Sequence, residues 1–209
     1  MTIQATTSGN SGAAMPMQAA IDIIEDEHRT LAAVLHGFRY MVREIRAGRT
    51  QPDFELLRAM VYYVDAFPER AHHPKEEQFL FARLRARTGE ADSLLDELRR
   101  EHEAGDSAIR ALEKRLLAYE FGNEFDEFAR AAESYVEAYL SHMRNEENGI
   151  LPLARKHLVA TDWAEIGAAF AENVAPAAAP GRTNFRTLFT RIVNLAPPPI
   201  GVGPLFPRP

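Results

Sequence analysis

The sequence predicts an all-α protein: an up-down-up-down four-helix bundle with a short fifth helix and an extended C-terminal tail. Three observations carry this expectation. Apolar residues recur at helical spacing through four long stretches. Short joints built from Gly, Thr, Asn and Pro separate those stretches, as antiparallel neighbours require. No stretch reads as a competing strand.

The first helix is expected over residues 18–47, where Ile21, Ile24, Leu31, Val34, Leu35, Phe38, Val42 and Ile45 share a face. Gly48 stops it, and Thr50-Gln51-Pro52-Asp53 reads as a turn and a new N-terminus. The second helix covers residues 53–87. Pro68 and Pro74 interrupt it, so a kink or loosened turn is expected there, because each ring clashes with the carbonyl four residues back. The third helix covers residues 90–121, and Gly122-Asn123 breaks it. Asn123, with Asp126 three residues on, is the expected cap of the fourth helix, which runs to about Val159. Asp162 and Glu165 have capping-box spacing and open the fifth, anchored by Trp163. Residues 1–17 read as a disordered tail, residues 18–172 as the helical domain, and residues 173–209 as an Ala/Pro-rich linker and C-terminal tail. A short helix is expected over residues 185–195, with the APPPIGVGPLFPRP ending mostly extended.

Composition limits the chemistry. The chain has 209 residues, enough for one substantial core, and no cysteine, so disulfides, thiolate metal sites and a cysteine nucleophile are out. Its net charge of −6, with scattered Lys and Arg, gives no footprint for nucleic acid. No apolar run is long enough to span a membrane, and the small, polar start does not resemble a signal peptide. The expectation is a soluble, cytoplasmic protein with neither nucleic acid nor membrane as partner.

The histidines then stand out, because AHHPKEEQFLF sets two imidazoles and two carboxylates beside large apolar side chains. A dry core rejects carboxylates unless they are paired or bound to metal. A joint brings residues equally far before and after it to one height. With the first joint at Thr50, His28 lies 22 residues before it and His72 lies 22 after. Around Gly89, Glu76 is 13 before and His102 is 13 after; around Gly122, His102 is 20 before and His142 is 20 after. One layer therefore receives a histidine from every helix.

His72 with Glu76, and His142 with Glu146, have a four-residue offset that puts each pair on one helix face. HHPKEEQFLF and HMRNEENGIL match through Glu-Glu and the following apolar pair, which aligns His72 with His142 and Glu76 with Glu146. His28, His72, Glu76, His102, His142 and Glu146 are the candidate ligands. His73 is an additional candidate, and Asp106, four residues after His102, is another or an outer partner. Glu77 and Glu147 face solvent or an outer partner. His36 and His157 fall off the layer, and Tyr40, Tyr119 and Tyr139 read as core. Imidazoles and carboxylates in this number suit first-row divalent metal, are too rich for one zinc, and fit two irons best.

DEHRTL around His28, HHPKEEQFLF, REHEAGD around His102 and HMRNEENGILPLA around His142 together resemble the hemerythrin-like, or HHE cation-binding, family over about residues 18–172. The resemblance implies a four-helix bundle around a non-haem di-iron centre with an oxo or hydroxo bridge and oxygen as the usual ligand. Carried over by position, it makes the same six residues ligands. Oxygen-carrying members have a second histidine on the third helix, where this chain has Asp106. They also have an aspartate one residue further along the fourth, where this chain has Glu147. A carboxylate-richer set favours the ferric state.

The leading expectation is a di-iron protein that binds or senses oxygen, nitric oxide or peroxide. One alternative is a di-iron enzyme that detoxifies peroxide or nitric oxide with electrons from an external donor. Another is a metal-dependent signalling module whose C-terminal tail docks a protein partner. The apolar tail reads more readily as a strap over the bundle.

Overall fold

The structure is a computed structural model that describes residues 11–174 and 185–203. Six helices and no strand occur among the described residues. Helix α1 spans Ser11–Arg46, so it begins inside the stretch assigned to a disordered tail. The rest of that tail, residues 175–184 of the linker and residues 204–209 lie outside the described residues. Helix α2 (residues 54–87) is composite. It opens as Phe54–Val64, passes through a π-helical stretch Asp65–His72, one α-helical turn His73–Lys75 and a second π-helical stretch Glu76–Phe81, and closes as Ala82–Arg87. Helix α3 spans Asp92–Glu120. Helix α4 (residues 125–157) runs Phe125–Asn145, a π-helical stretch Glu146–Ile150, and Leu151–His157. Helices α5 and α6 span Ala160–Val174 and Phe185–Leu195.

The joints use the expected chemistry with two exceptions. Asp53 caps α2 by accepting from the Leu56 N–H at 3.0 Å. Gly48 and Gly122 take φ of +68° and +95°, a conformation that disfavours any residue with a Cβ, and they end α1 and α3. The cap expected at Asn123 is not made: α4 starts at Phe125 after Glu124, with no side-chain cap. Nor does the Asp162/Glu165 box open α5. That helix begins two residues earlier, at Ala160, and Asp162 reaches back to accept from the Val159 N–H at 3.0 Å. Asp162 also pairs with Arg87, while Glu165 pairs with Arg83, so α5 is tied to the end of α2.

Two apolar clusters form the core. One gathers Leu35, Phe38, Leu56, Leu57, Met60, Leu112, Phe128 and Val136 from α1 to α4. The other gathers Ile21, Ile24, Leu84, Leu95, Leu98, Ile150, Trp163 and Phe170. Helix α5 packs along α1, and its Trp163 is 1% exposed, which makes it an anchor as expected. Helix α6 packs on α2 with Ile192 buried. Beyond it the chain is not extended. The Val202 N–H donates to the Val193 carbonyl at 3.0 Å and the Gly203 N–H to the Ala196 carbonyl at 2.9 Å, folding residues 197–203 back. The turn lets Ile200 pack against the first cluster over Gly37, where an added Cβ would stand 2.7 Å from Ile200. No helix among the described residues is long and apolar enough to cross a membrane.

Candidate metal centre

Between the two apolar clusters lies a polar layer. Helix α1 contributes His28, α2 His72, His73 and Glu76, α3 His102, and α4 His142 and Glu146. All are buried, the least so being His102 at 9% exposure. Their donor atoms form two groups, each within 4.8 Å: His28, His72, Glu76 and Glu146, and His73, Glu76, His102 and His142. Glu76 belongs to both, with Oε1 3.1 Å from His72 Nε2 and Oε2 3.5 Å from His102 Nε2. Glu146 also faces both ways, with Oε2 3.4 Å from His28 Nε2 and Oε1 3.3 Å from His142 Nε2.

All four carboxylate oxygens of Glu76 and Glu146 are buried without a hydrogen-bond partner among the described residues. The imidazole nitrogens around them are near enough for electrostatic attraction but outside hydrogen-bonding geometry. A buried carboxylate left so is costly, and a cation is what would satisfy it. The imidazoles agree. His28 Nε2 and His72 Nε2 are 3.1 Å apart, and His102 Nε2 and His142 Nε2 are 3.0 Å apart. Paired lone-pair atoms aimed at one point are what a divalent metal requires, and the N/O set suits a first-row ion. The residues present therefore fit a metal.

Each of these four rings turns its other nitrogen to a carboxylate from the preceding helix around the bundle. Glu27 of α1 is 2.6 Å from His72 Nδ1, Glu77 of α2 is 3.0 Å from His102 Nδ1, Glu101 of α3 is 2.7 Å from His142 Nδ1, and Glu147 of α4 is 3.0 Å from His28 Nδ1. The four contacts close a ring around the layer. A carboxylate on Nδ1 holds the proton there and leaves the Nε2 lone pair pointing inward, which fixes the tautomer a metal needs. Sequence reasoning had left Glu77 and Glu147 between solvent and this role, and had not found Glu27 and Glu101. A signal was available, because each of the latter directly precedes a layer histidine.

His73 differs from the other four. Its ring stacks on His102 at 3.9 Å between centroids, and its Nε2 accepts from the Tyr139 hydroxyl at 2.6 Å. Tyr139, read from sequence as core, therefore touches the site. Asp106 does not: it is exposed and pairs with Arg110. The His73 ring and Glu69 occupy the space beside that turn of α3. An added Cβ on neighbouring Gly105 would stand 2.9 Å from Glu69 Oε1. His36 is exposed and contacts Arg39, and His157 lies by Glu90, both away from the layer as expected.

The electrostatics follow the geometry. Burial opposes a charge on His72, but Glu76 and Glu27 outweigh it and raise its pKa well above the ordinary value. Burial likewise opposes charge on His142, yet Glu146 and Glu101 push it up to about 10. His28 is raised against burial by Glu147 and Glu76. Glu76, although burial favours its neutral form, is held well below the usual carboxylate range by His72 and His28. His73 goes the other way, because burial and then the neighbouring His102 keep it neutral. Burial keeps the Tyr139 phenol protonated, so it is the donor to that neutral ring.

The backbone is loosened where the site is built. The His73 N–H donates to the Pro68 carbonyl and the Leu151 N–H to the Glu146 carbonyl, both five residues back, and each donor directly precedes a proline, Pro74 or Pro152. Both Glu76 and Glu146 begin π-helical stretches. A wide turn absorbs the missing proline N–H and re-aims the side chains around it, so the kink expected at Pro68 and Pro74 takes this form.

No curated protein and no solved structure matches the chain significantly. The model of the hemerythrin HHE cation-binding domain matches residues 19–154, a span that contains all seven buried donors and the four carboxylates of the ring. With that match over more than half its length, the chain belongs to the hemerythrin HHE cation-binding domain family.

Proposed function

We propose that this is a non-haem di-iron protein that binds or senses oxygen, nitric oxide or peroxide, built on four long helices in up-down-up-down order. The observation that carries the reading is the pair of donor groups meeting at Glu76, with Glu146 reaching toward both. Ion pairs support the helix order: Arg58 with Glu120 and Arg85 with Asp96 tie opposite ends of α2 and α3, and Arg46 with Glu133 ties the end of α1 to the first half of α4.

His28, His72, Glu76 and Glu146 would hold one iron, and His73, His102, His142 and Glu76 the other. Iron bound there supplies a redox-active Lewis acid for a small oxygen- or nitrogen-centred ligand. The chain's own residues do the rest. Four donors per group leave coordination positions open for an exogenous ligand. The ring carboxylates hold the proton on each Nδ1, and the Tyr139 hydroxyl presents a proton at His73 Nε2. The two apolar clusters keep bulk water from both ends of the layer, which strengthens every charge interaction inside it. With no cysteine in the chain, turnover would take its electrons from an external donor. The C-terminal segment acts as a strap rather than a docking arm, supported by the burial of Ile192 and Ala196 against the bundle.

Metal analysis of the full chain grown in iron-rich medium, with optical spectra before and after reduction and exposure to oxygen, tests this. About two irons per chain, as two donor groups require, with a spectrum that responds to oxygen, nitric oxide or peroxide, is the expected result. Substoichiometric metal, or a spectrum indifferent to all three, overturns it.

A further inference from the structure

A cleft of about 620 Å³ lies between α3 and α4 and reaches His73, His102 and Tyr139. A diatomic molecule needs far less room, whereas organic ligands occupy cavities of this order. The walls are built from truncated side chains: Ala104, Ala108 and Ala111 on α3, Ala131 and Ala138 on α4. Leucines at these helical positions would have closed the space.

The cleft is long and its two ends are unlike. From His102 to Arg115 is 13 residues of α3, or roughly 20 Å at 1.5 Å per residue. At the inner end Nε2 of His73 is already held by the Tyr139 hydroxyl at 2.6 Å. Glu101 stands at that end too, its carboxylate engaged by His142. At the outer end Arg115 is exposed, and no carboxylate among the described residues pairs with it. A linear molecule with one anionic end and an apolar body matches this arrangement, with its charge at Arg115 and away from Glu101. A docked helix does not, because a cylinder roughly 10 Å across cannot reach a ring buried between α2 and α3.

We propose that the α3–α4 cleft binds a long-chain aliphatic carboxylate, its head on Arg115 and its chain directed toward His73, His102 and Tyr139. The site lies beside the metal layer, so its occupant covers one approach to the centre. The inference does not depend on which metal is bound, and its readout is affinity, so it can fail or hold independently of the di-iron reading.

The test is calorimetric titration of the full-length, metal-loaded protein with hexadecanoate, octanoate and hexadecyltrimethylammonium. Hexadecanoate binds, octanoate binds more weakly, and the cationic amphiphile loses the contribution of the head. Arg115→Glu weakens hexadecanoate about tenfold or more, the worth of one charge-assisted hydrogen bond. Ala108→Phe fills the cleft and removes binding. Circular dichroism and light scattering accompany both variants. Absence of hexadecanoate binding, or binding that neither variant changes, overturns the proposal. So does a change of oligomeric mass in the variants without a change of affinity, which would make this face a contact between copies of the chain.

Discussion

Of the two donor groups that meet at Glu76, one takes His28, His72 and Glu146, and the other takes His73, His102 and His142. The sequence around them is nearly the same in both halves of the chain: a Glu-His pair, then a histidine followed four residues later by Glu-Glu. Two of the positions at which they differ touch the site. His73 stands where the second half has Met143, and Tyr139 stands where the first half has Glu69. These two odd residues find each other across the bundle, hydroxyl to Nε2 at 2.6 Å. One group thereby gains a third imidazole and a neighbouring phenol, while the other keeps two carboxylates to two imidazoles. The lesson is that similar motifs in the two halves build unequal donor groups. On the proposed di-iron reading, the group with two carboxylates would favour the higher charge state and the group with three imidazoles the lower.

The strongest way to break this comparison is to remove what the groups share. Glu76→Ala is expected to take iron from about two per chain to near none, because both groups lose a donor and the histidines lose the charge that holds them. His142→Ala should also lower iron severely, with His36→Ala and His157→Ala as unaffected controls. Loss confined to one iron in Glu76→Ala, read by metal analysis, would mean the groups are independent.

Changing only the odd position should sharpen the difference. His73→Met copies the second half into the first and is expected to weaken one iron selectively, leaving about one tightly held ion per chain. Mössbauer spectra should resolve two unequal irons in the wild type and lose one component in this variant. Identical spectra for both proteins would place His73 outside the coordination sphere.

Outer carboxylates should act more gently. Glu27→Gln and Glu101→Gln each keep the shape but weaken the hold on one ring, His72 in the first group and His142 in the second. About 10- to 100-fold in metal affinity is expected, without loss of helix content. Affinity should also fall with acid. His142 carries a proton up to a pKa of about 10, and His72 and His28 are raised as well, so metal must displace protons throughout the neutral range. Each displaced proton weakens binding by about tenfold per unit as pH falls. Competition titrations at pH 6 and pH 8 check the sign, and a flat response would mean neutral rings.

The smallest expected effect lies far from the layer. Truncation after Ala175 removes α6 and the turn that seats Ile200 over Gly37. It should lower the melting temperature by several degrees, since about 2 kcal/mol corresponds to that shift in a chain of this size. Iron content should be unchanged in both groups. Unchanged stability would make the segment a free arm.

Much of this was legible in the residues. Equal spacing about Thr50, Gly89 and Gly122 put His28, His72, His102 and His142 at one height, and the match between HHPKEEQFLF and HMRNEENGIL favoured Glu76 and Glu146 over Glu77 and Glu147. The π-helical turns were visible only as prolines, since a proline announces that a turn must change without saying how. Asp106 was misread, and the contact that the core residue Tyr139 makes with His73 was missed, for a common reason. Helical spacing tells which face a side chain takes, whereas the seat beside His102 was decided by the stacked ring of His73 from another helix. The expected α4 cap was not made, and at α5 Asp162 and Glu165 pair with arginines of α2 instead of forming a capping box.

The ring of outer carboxylates has a consequence for how such a centre could be assembled from less. Each helix gives one carboxylate to the next and receives one on its own histidine. Helices α1 and α2 repeat, in order, the donors of α3 and α4. Two copies of a single helical hairpin carrying Glu-His and His-x-x-x-Glu-Glu, related by a twofold axis, would close the same ring with four helices and two metals. Such a homodimer would have identical halves and no His73–Tyr139 contact. Joining the two hairpins in one chain is what allows the halves to diverge, and with them the two donor groups.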